Sequence, residues 1–108
     1  MDYSLLQERA KEISDLFDSQ NINKNQKVWD ITAVMSGFVG DVGDLSKLIM
    51  AKNNLRTKEN IDDGLAHELS DCLWSILVLA DKLKIDLPKS FMQTMDSIEQ
   101  KISQKLNS

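Results

Sequence analysis

Gly40-Asp41-Val42-Gly43-Asp44-Leu45, followed by His67-Glu68-Leu69-Ser70-Asp71, decides how this chain folds and what it can hold. Each stretch carries two acids spaced i,i+3 among mostly apolar neighbours. Residues three apart share one face of a helix, so each pair presents two carboxylates in one direction. Carboxylates facing an apolar interior cannot remain ionised without a counter-charge. The acids therefore either turn outward to water or gather round a cation.

Apolar residues recur at spacings of three and four along most of the chain, which predicts amphipathic helices. We expect four of them, over residues 2–20, 28–53, 61–84 and 87–106. Asp86 and Pro88 favour the start of the last helix. Residues 72–80 are apolar on most faces, which is typical of a helix in the centre of a bundle or at an interface. The sequence predicts an all-α single domain over residues 1–108, a four-helix bundle completed by dimerisation.

The composition of the chain restricts the classes of protein to which it can belong. Apolar residues make up 42% of the 108-residue chain and charged residues 28%, as in a globular protein rather than a disordered one. The net charge of −4 argues against a nucleic-acid partner. The single cysteine, Cys72, excludes an intrachain disulfide, and no apolar run approaches the ~20 residues of a membrane span. No signal peptide is evident, so we expect a cytoplasmic protein without a membrane partner.

Three glycines at i+3 spacing, Gly37, Gly40 and Gly43, flank the first acid pair. Glycine is a poor helix former, costing about 1 kcal/mol relative to alanine. Two explanations remain open at about equal weight. The glycines allow close packing against another helix, or they let a ligand approach the backbone beside Asp41 and Asp44.

The four acids indicate which metal would suit them. Hard divalent cations take oxygen ligands, and Mg²⁺ commonly combines carboxylates with waters and substrate phosphates. Di-iron bundles use Glu-x-x-His, whereas Asp71 stands where that motif has histidine. Magnesium is therefore preferred, with manganese as the alternative, over iron or zinc. His67 lies about a quarter-turn from Glu68, so packing or hydrogen bonding is a better interpretation for it than metal ligation.

Together these stretches resemble the MazG-like, all-α nucleoside triphosphate pyrophosphohydrolases. Asp41-x-x-Asp44 and Glu68-x-x-Asp71 resemble the family's E-x-x-E and E-x-x-D signatures. Three longer segments support the match, over roughly residues 29–101: Val42-Gly43-Asp44-Leu45, His67-Glu68-Leu69-Ser70-Asp71-Cys72-Leu73, and Leu79-Ala80-Asp81-Lys82-Leu83-Lys84-Ile85-Asp86-Leu87.

The resemblance implies a function. Family members convert nucleoside triphosphates to the monophosphate and pyrophosphate, with Mg²⁺ bound by acids at the positions of Asp41, Asp44, Glu68 and Asp71. It implies that water attacks the α-phosphorus and that an acid accepts the water's proton. It also implies a homodimer or a tetramer in which helices from two subunits complete each pocket.

The chain departs from the family at two places. Asp41 and Asp44 stand where the family has glutamate, and the shorter side chain places its oxygens ~1 Å further back, enough to cost ~10²-fold in rate. In the last helix, an asparagine, a lysine and an arginine contact phosphates in many members, and this chain keeps only Lys101. Phosphate contacts would then come from other cations: Lys47, Lys52, Arg56 or Lys58.

Two classes of function stay open. The first is a nucleotide pyrophosphohydrolase whose substrate base stacks on an aromatic side chain, for which Trp29 is a better candidate than Trp74. The second is a catalytically weak or inactive bundle that binds a nucleotide or a protein. The aspartate pair and the missing phosphate-binding residues favour the second.

Overall fold

The structure, a computed structural model, describes residues 2–53 and 61–107. This part of the chain contains four α-helices and no strand, which confirms the predicted all-α class. Arg56 and Lys58 lie outside the described residues. The helices are α1 (Tyr3–Asn23), α2 (Ile31–Asn53), α3 (Ile61–Lys82) and α4 (Leu87–Leu106).

Side chains that cap the helices explain where two of them begin. Asp2 caps α1, its carboxylate accepting from the Leu5 N–H at 3.2 Å. Asp30 accepts from the Ala33 N–H at 2.9 Å, so α2 begins at Ile31 rather than at residue 28. Trp29 therefore lies in the connection before α2 and not inside the helix.

The break between α3 and α4 has a backbone cause. Lys84 adopts a left-handed conformation with φ of 59°, so α3 ends at Lys82, two residues before the predicted end. Asp86 then accepts from the Lys89 N–H at 3.2 Å and caps α4, with Pro88 in the first turn. The predicted bounds of α4, 87–106, are those of the structure.

Helices α2 and α3 form an antiparallel hairpin. Near the end of α2 and the start of α3, a Leu48 methyl lies 3.3 Å from where a side chain on Gly64 would begin. At the opposite end of the hairpin, Val34 shares a buried cluster with Leu77 and Val78. This pairing is what sets Asp41 and Asp44 beside the acids of α3.

Helix α1 packs across α3, also antiparallel. The Gln7 side-chain amide donates to the Leu77 carbonyl at 3.0 Å, and the Trp74 indole N–H donates to the Ala10 carbonyl at 3.1 Å. Two side chains of α3 and α1 thus each satisfy a backbone acceptor of the other helix. These contacts lie near the end of the hairpin where Val34, Leu77 and Val78 are buried.

Much apolar surface remains outside the core. The radius of gyration is 17.6 Å, against about 13 Å for a compact chain of this length. The apolar residues around the acids were expected inside, yet Val39, Val42, Leu69 and Leu73 are exposed. In α4, every residue after Leu87 is exposed. Within residues 2–53 and 61–107, no helix combines the length and the hydropathy that crossing a bilayer would need.

Candidate metal centre and adjoining cavity

The α2–α3 hairpin brings the four predicted acids together. One carboxylate oxygen from each of Asp41, Asp44 and Glu68 lies within 4.8 Å of the others. A second group within the same limit joins Glu68 to Asp71 and His67. Oxygens on opposite sides of Mg²⁺ are about 4.2 Å apart, so small side-chain rotations would let the first group share one ion. Glu68, common to both groups, is the centre of the cluster.

Glu68 is also the least satisfied of these acids. Its Oε2 atom is buried and has no hydrogen-bond partner. Desolvation raises the pKa of the Glu68 carboxyl, and Asp44, Asp71 and Asp41 raise it further, while His67 opposes them. The pKa of Asp41 is raised by desolvation first, and then by Asp71 and Asp44. A buried, unpaired carboxylate oxygen among like charges needs either a proton or a cation.

The metal-free protein should therefore depend on pH in a particular way. A carboxyl whose pKa is raised by folding favours the folded state at low pH and loses that contribution as pH rises through the raised value. For Asp41 and Glu68, the pH range over which this contribution is lost lies above their ordinary pKa values of 3.8 and 4.5. We expect Asp41→Asn/Glu68→Gln to have a higher melting temperature than the native protein at pH 8, and the gap to narrow by pH 5. Thermal melts in a chelator measure it, and a gap that is constant with pH would contradict it.

His67 lies at the edge of the cluster. Its Nε2 is 3.1 Å from an Asp71 carboxylate oxygen, and its side chain is 71% exposed. This contact agrees with the hydrogen-bonding interpretation from the sequence. The same position places a ring nitrogen of His67 within 4.8 Å of carboxylate oxygens of Glu68 and Asp71, within reach of a cation held by those two acids.

A cavity of about 540 Å³ opens beside the acids. Its wall is aromatic on one side, where Phe17 and Trp29 have ring centroids 4.7 Å apart and Phe17 and Trp74 have theirs 5.8 Å apart. Asp41 and Asp71 belong to the lining, so the cavity and the cluster share two residues. The remaining lining residues are Ile13, Ala33, Val34, Gly37, Ser70 and Ser75.

The cavity changes two expectations about aromatic residues. Trp74, the weaker of the two stacking candidates, packs against the buried cluster and also lines the cavity with Trp29, while its indole N–H donates to the Ala10 carbonyl of α1. Phe17 was missed, because its spacing in α1 matched an ordinary core stripe. A tertiary contact, not a local signal, places it against both tryptophans.

The predicted phosphate-binding cations are not gathered at the acids. Lys52 pairs with Asp62 at 2.7 Å, near the start of α3. In the described part of the chain, no ion pair joins Lys47 or Lys101 to the cluster, and Lys101 lies on the exposed α4. Arg56, the other predicted phosphate contact, lies outside the described residues.

The glycines and the cysteine have different surroundings. A Cβ added at Gly37, Gly40 or Gly43 would meet nothing within 4 Å, so within one described chain no helix uses these positions for close packing. Gly37 lines the cavity, which leaves the ligand explanation open for that residue. Cys72 is buried as expected, and desolvation, with Asp41 and Glu68 nearby, raises the pKa of its thiol.

Comparison with known proteins adds no relative. A scan against models of protein families, a search of curated proteins and a search of solved structures each found no match to this chain. The likeness to MazG-like pyrophosphohydrolases therefore stays a prediction from the motifs.

Proposed function

We propose that this protein is a Mg²⁺-dependent nucleoside triphosphate pyrophosphohydrolase that yields the nucleoside monophosphate and pyrophosphate. The observation that carries the proposal is the junction of the acid cluster with the aromatic cavity, which share Asp41 and Asp71. A nucleotide needs both environments next to each other, a flat apolar site for the base and a cation site for the phosphates.

The donor set fits a hard cation. Asp41, Asp44 and Glu68 would hold Mg²⁺, or Mn²⁺ in its place, with Asp71 as a further ligand through the second group. The bound ion would neutralise phosphate charge and lower the pKa of a water molecule. The buried Oε2 of Glu68 supports this assignment, because a cation gives that oxygen the partner that it lacks.

The chain's own residues would do the rest. Trp29, Phe17 and Trp74 offer faces or edges for a base, and this kind of stacking tolerates any base. A carboxylate not committed to the cation would accept the proton of the attacking water. Lys47, Lys52, Arg56 and Lys101 remain the proposed phosphate contacts. For Lys52 this requires that its ion pair with Asp62 open.

Two further features belong to the proposal. We place the protein in the cytoplasm. We also assign it a homodimer or a tetramer, since many large apolar side chains are exposed in the described chain and a second copy would cover part of them.

The test is product analysis with a panel of ribo- and deoxyribonucleoside triphosphates, first with Mg²⁺ and then with Mn²⁺. We expect equal amounts of monophosphate and pyrophosphate, and none in a chelator. Release of orthophosphate together with the nucleoside diphosphate would mean that the bond to the γ-phosphorus is cleaved, and it would contradict the proposed reaction. Folded protein that releases neither product would remove the enzyme proposal.

A binding module is the second candidate, and one observation favours it. In the described part of the chain no ion pair joins a lysine to the acid cluster, whose first acid pair carries the shorter side chains. A module of this kind would bind a nucleotide or a protein without turnover. Calorimetric titration with a non-hydrolysable nucleotide and Mg²⁺ separates the candidates: binding without turnover of the natural nucleotides supports the module.

Trp29 should contribute to substrate affinity more than to rate. Because stacking on one aromatic ring contributes about 1–3 kcal/mol, Trp29→Ala should raise KM by roughly 5- to 150-fold with a smaller change in kcat. Trp29→Phe keeps a stacking face and should restore most of the affinity. Steady-state kinetics of the three proteins test this. Equal losses in the alanine and phenylalanine variants would assign Trp29 a packing role instead.

A further inference from the structure

Helix α4 carries an apolar stripe that no other helix in the described part of the chain covers. Phe91, Met95, Ile98 and Ile102 are spaced four, three and four, the alternation of a coiled-coil seam. They are 56%, 40%, 44% and 53% exposed. Extensive helix packing in the described chain joins α2 with α3 and α1 with α3, while α4 meets the core through Leu87. About three turns of amphipathic helix are therefore not covered by any other described helix.

We propose that the α4 stripe is covered by α4 of a second copy, running antiparallel about a two-fold axis. In an antiparallel coiled coil, a residue at an a position of one helix faces a residue at a d position of the other helix. One register does this for the whole stripe. It sets Phe91 opposite the partner's Ile102, and Met95 opposite the partner's Ile98, and the two-fold axis repeats both layers. Every residue of the stripe then meets an apolar side chain.

The residues beside the stripe fit this register. Thr94 falls opposite the partner's Lys101, and Met92 opposite the partner's Glu99, so no like charges face each other along the seam. The residues beside the stripe are therefore compatible with the antiparallel arrangement, and the crosslinking test below distinguishes it from a parallel one.

The exposed apolar area on α4 is large enough for a contact between two copies of this helix. Specific interfaces bury about 1,000 Å² in total or more. With Met92 and Leu106, six large apolar side chains on α4 are between 40% and 79% exposed. Paired α4 helices thus offer area on the order of this threshold, counted over both copies. A two-fold contact of one patch with itself closes after two copies, which gives a dimer rather than a filament.

This inference deepens the self-association proposed above by naming its surface, and it does not depend on the proposed hydrolysis. The stripe lies on α4, whereas the acids lie on α2 and α3. Failure of the α4 contact and failure of the enzyme proposal would therefore be seen in different experiments.

The first test is sedimentation equilibrium of the full chain and two variants. Met95→Glu/Ile98→Glu puts charges into the two central layers, and Gln93→Glu/Gln100→Glu adds the same charge to the opposite face of α4. We expect the native protein to associate, the first variant to weaken the contact by at least about 100-fold in Kd, and the second to match the native protein. A monomeric native protein, or equal association by all three, would overturn the proposal.

The second test measures register and holds even if the charged variant folds poorly. Phe91→Cys and Ile102→Cys are made as separate proteins, each with Cys72→Ser, and are oxidised alone and mixed. We expect the mixture alone to give a strong disulfide-linked dimer. Crosslinking of each protein with itself, without a heterodimer, would overturn the antiparallel register. No crosslink in any sample, with native-like helicity, would remove the contact between α4 helices.

Discussion

Glu68→Gln should lower Mg²⁺-dependent pyrophosphate release by at least about 100-fold, because ligand displacements near 1 Å already cost that much. Glu68 belongs to both groups of possible ligands, so its loss disturbs the whole cluster. Glutamine keeps the size of the side chain and removes its charge. We also expect the Mg²⁺ concentration for half-maximal rate to rise. Initial rates across a Mg²⁺ series measure both quantities.

Glu8→Gln is the matched control for this prediction. Glu8 is exposed on α1, outside both groups of possible ligands, and the chemical change is the same. The control should keep the native rate and the native Mg²⁺ dependence. If Glu68→Gln kept more than half of the native rate, the cation would have to be held elsewhere and the proposed ligand set would fall.

The helices could be predicted because their signals are local. For α4, capping by Asp86, the position of Pro88 and the apolar spacing agree, and its predicted bounds are those of the structure. The start of α2 was placed too early because Trp29 was counted into the apolar stripe. The better signal was Asp30, an N-cap residue type directly before the helix.

The cluster of acids could also be anticipated, since i,i+3 spacing fixes a face and neighbouring helices bring two such faces together. The cavity beside it could not. Phe17 is brought to Trp29 and Trp74 by the crossing of α1 over α3, and the spacing of Phe17 serves a core stripe equally well. Periodicity likewise finds Val42 and Leu69 on the apolar side of their helices, yet it does not say that both are exposed in the folded chain.

The effect of Glu68 on the free energy of unfolding should be unfavourable without metal and favourable with Mg²⁺. Without metal, Glu68→Ala should raise the melting temperature, since it removes one member of a like-charge cluster whose buried oxygen has no partner. With metal, the native protein should gain and the variant should not. A ligand at 100 times its Kd adds about 2.7 kcal/mol to the free energy of unfolding, or about 10 °C for a domain of this size.

Calorimetric melts in a chelator and in millimolar Mg²⁺, with Glu8→Ala as the control, measure both effects. The control should gain as much from Mg²⁺ as the native protein. Equal gains in Glu68→Ala and the native protein would mean that Mg²⁺ acts away from the cluster. A metal-free Glu68→Ala that melts below the native protein would mean that the side chain contributes packing that outweighs the repulsion among Asp41, Asp44 and Asp71. If Glu68→Ala melts above the native protein without metal and below it with Mg²⁺, the Glu68 carboxylate destabilises the metal-free protein and stabilises the protein that holds a cation. A residue with only a packing role would not reverse the order in this way.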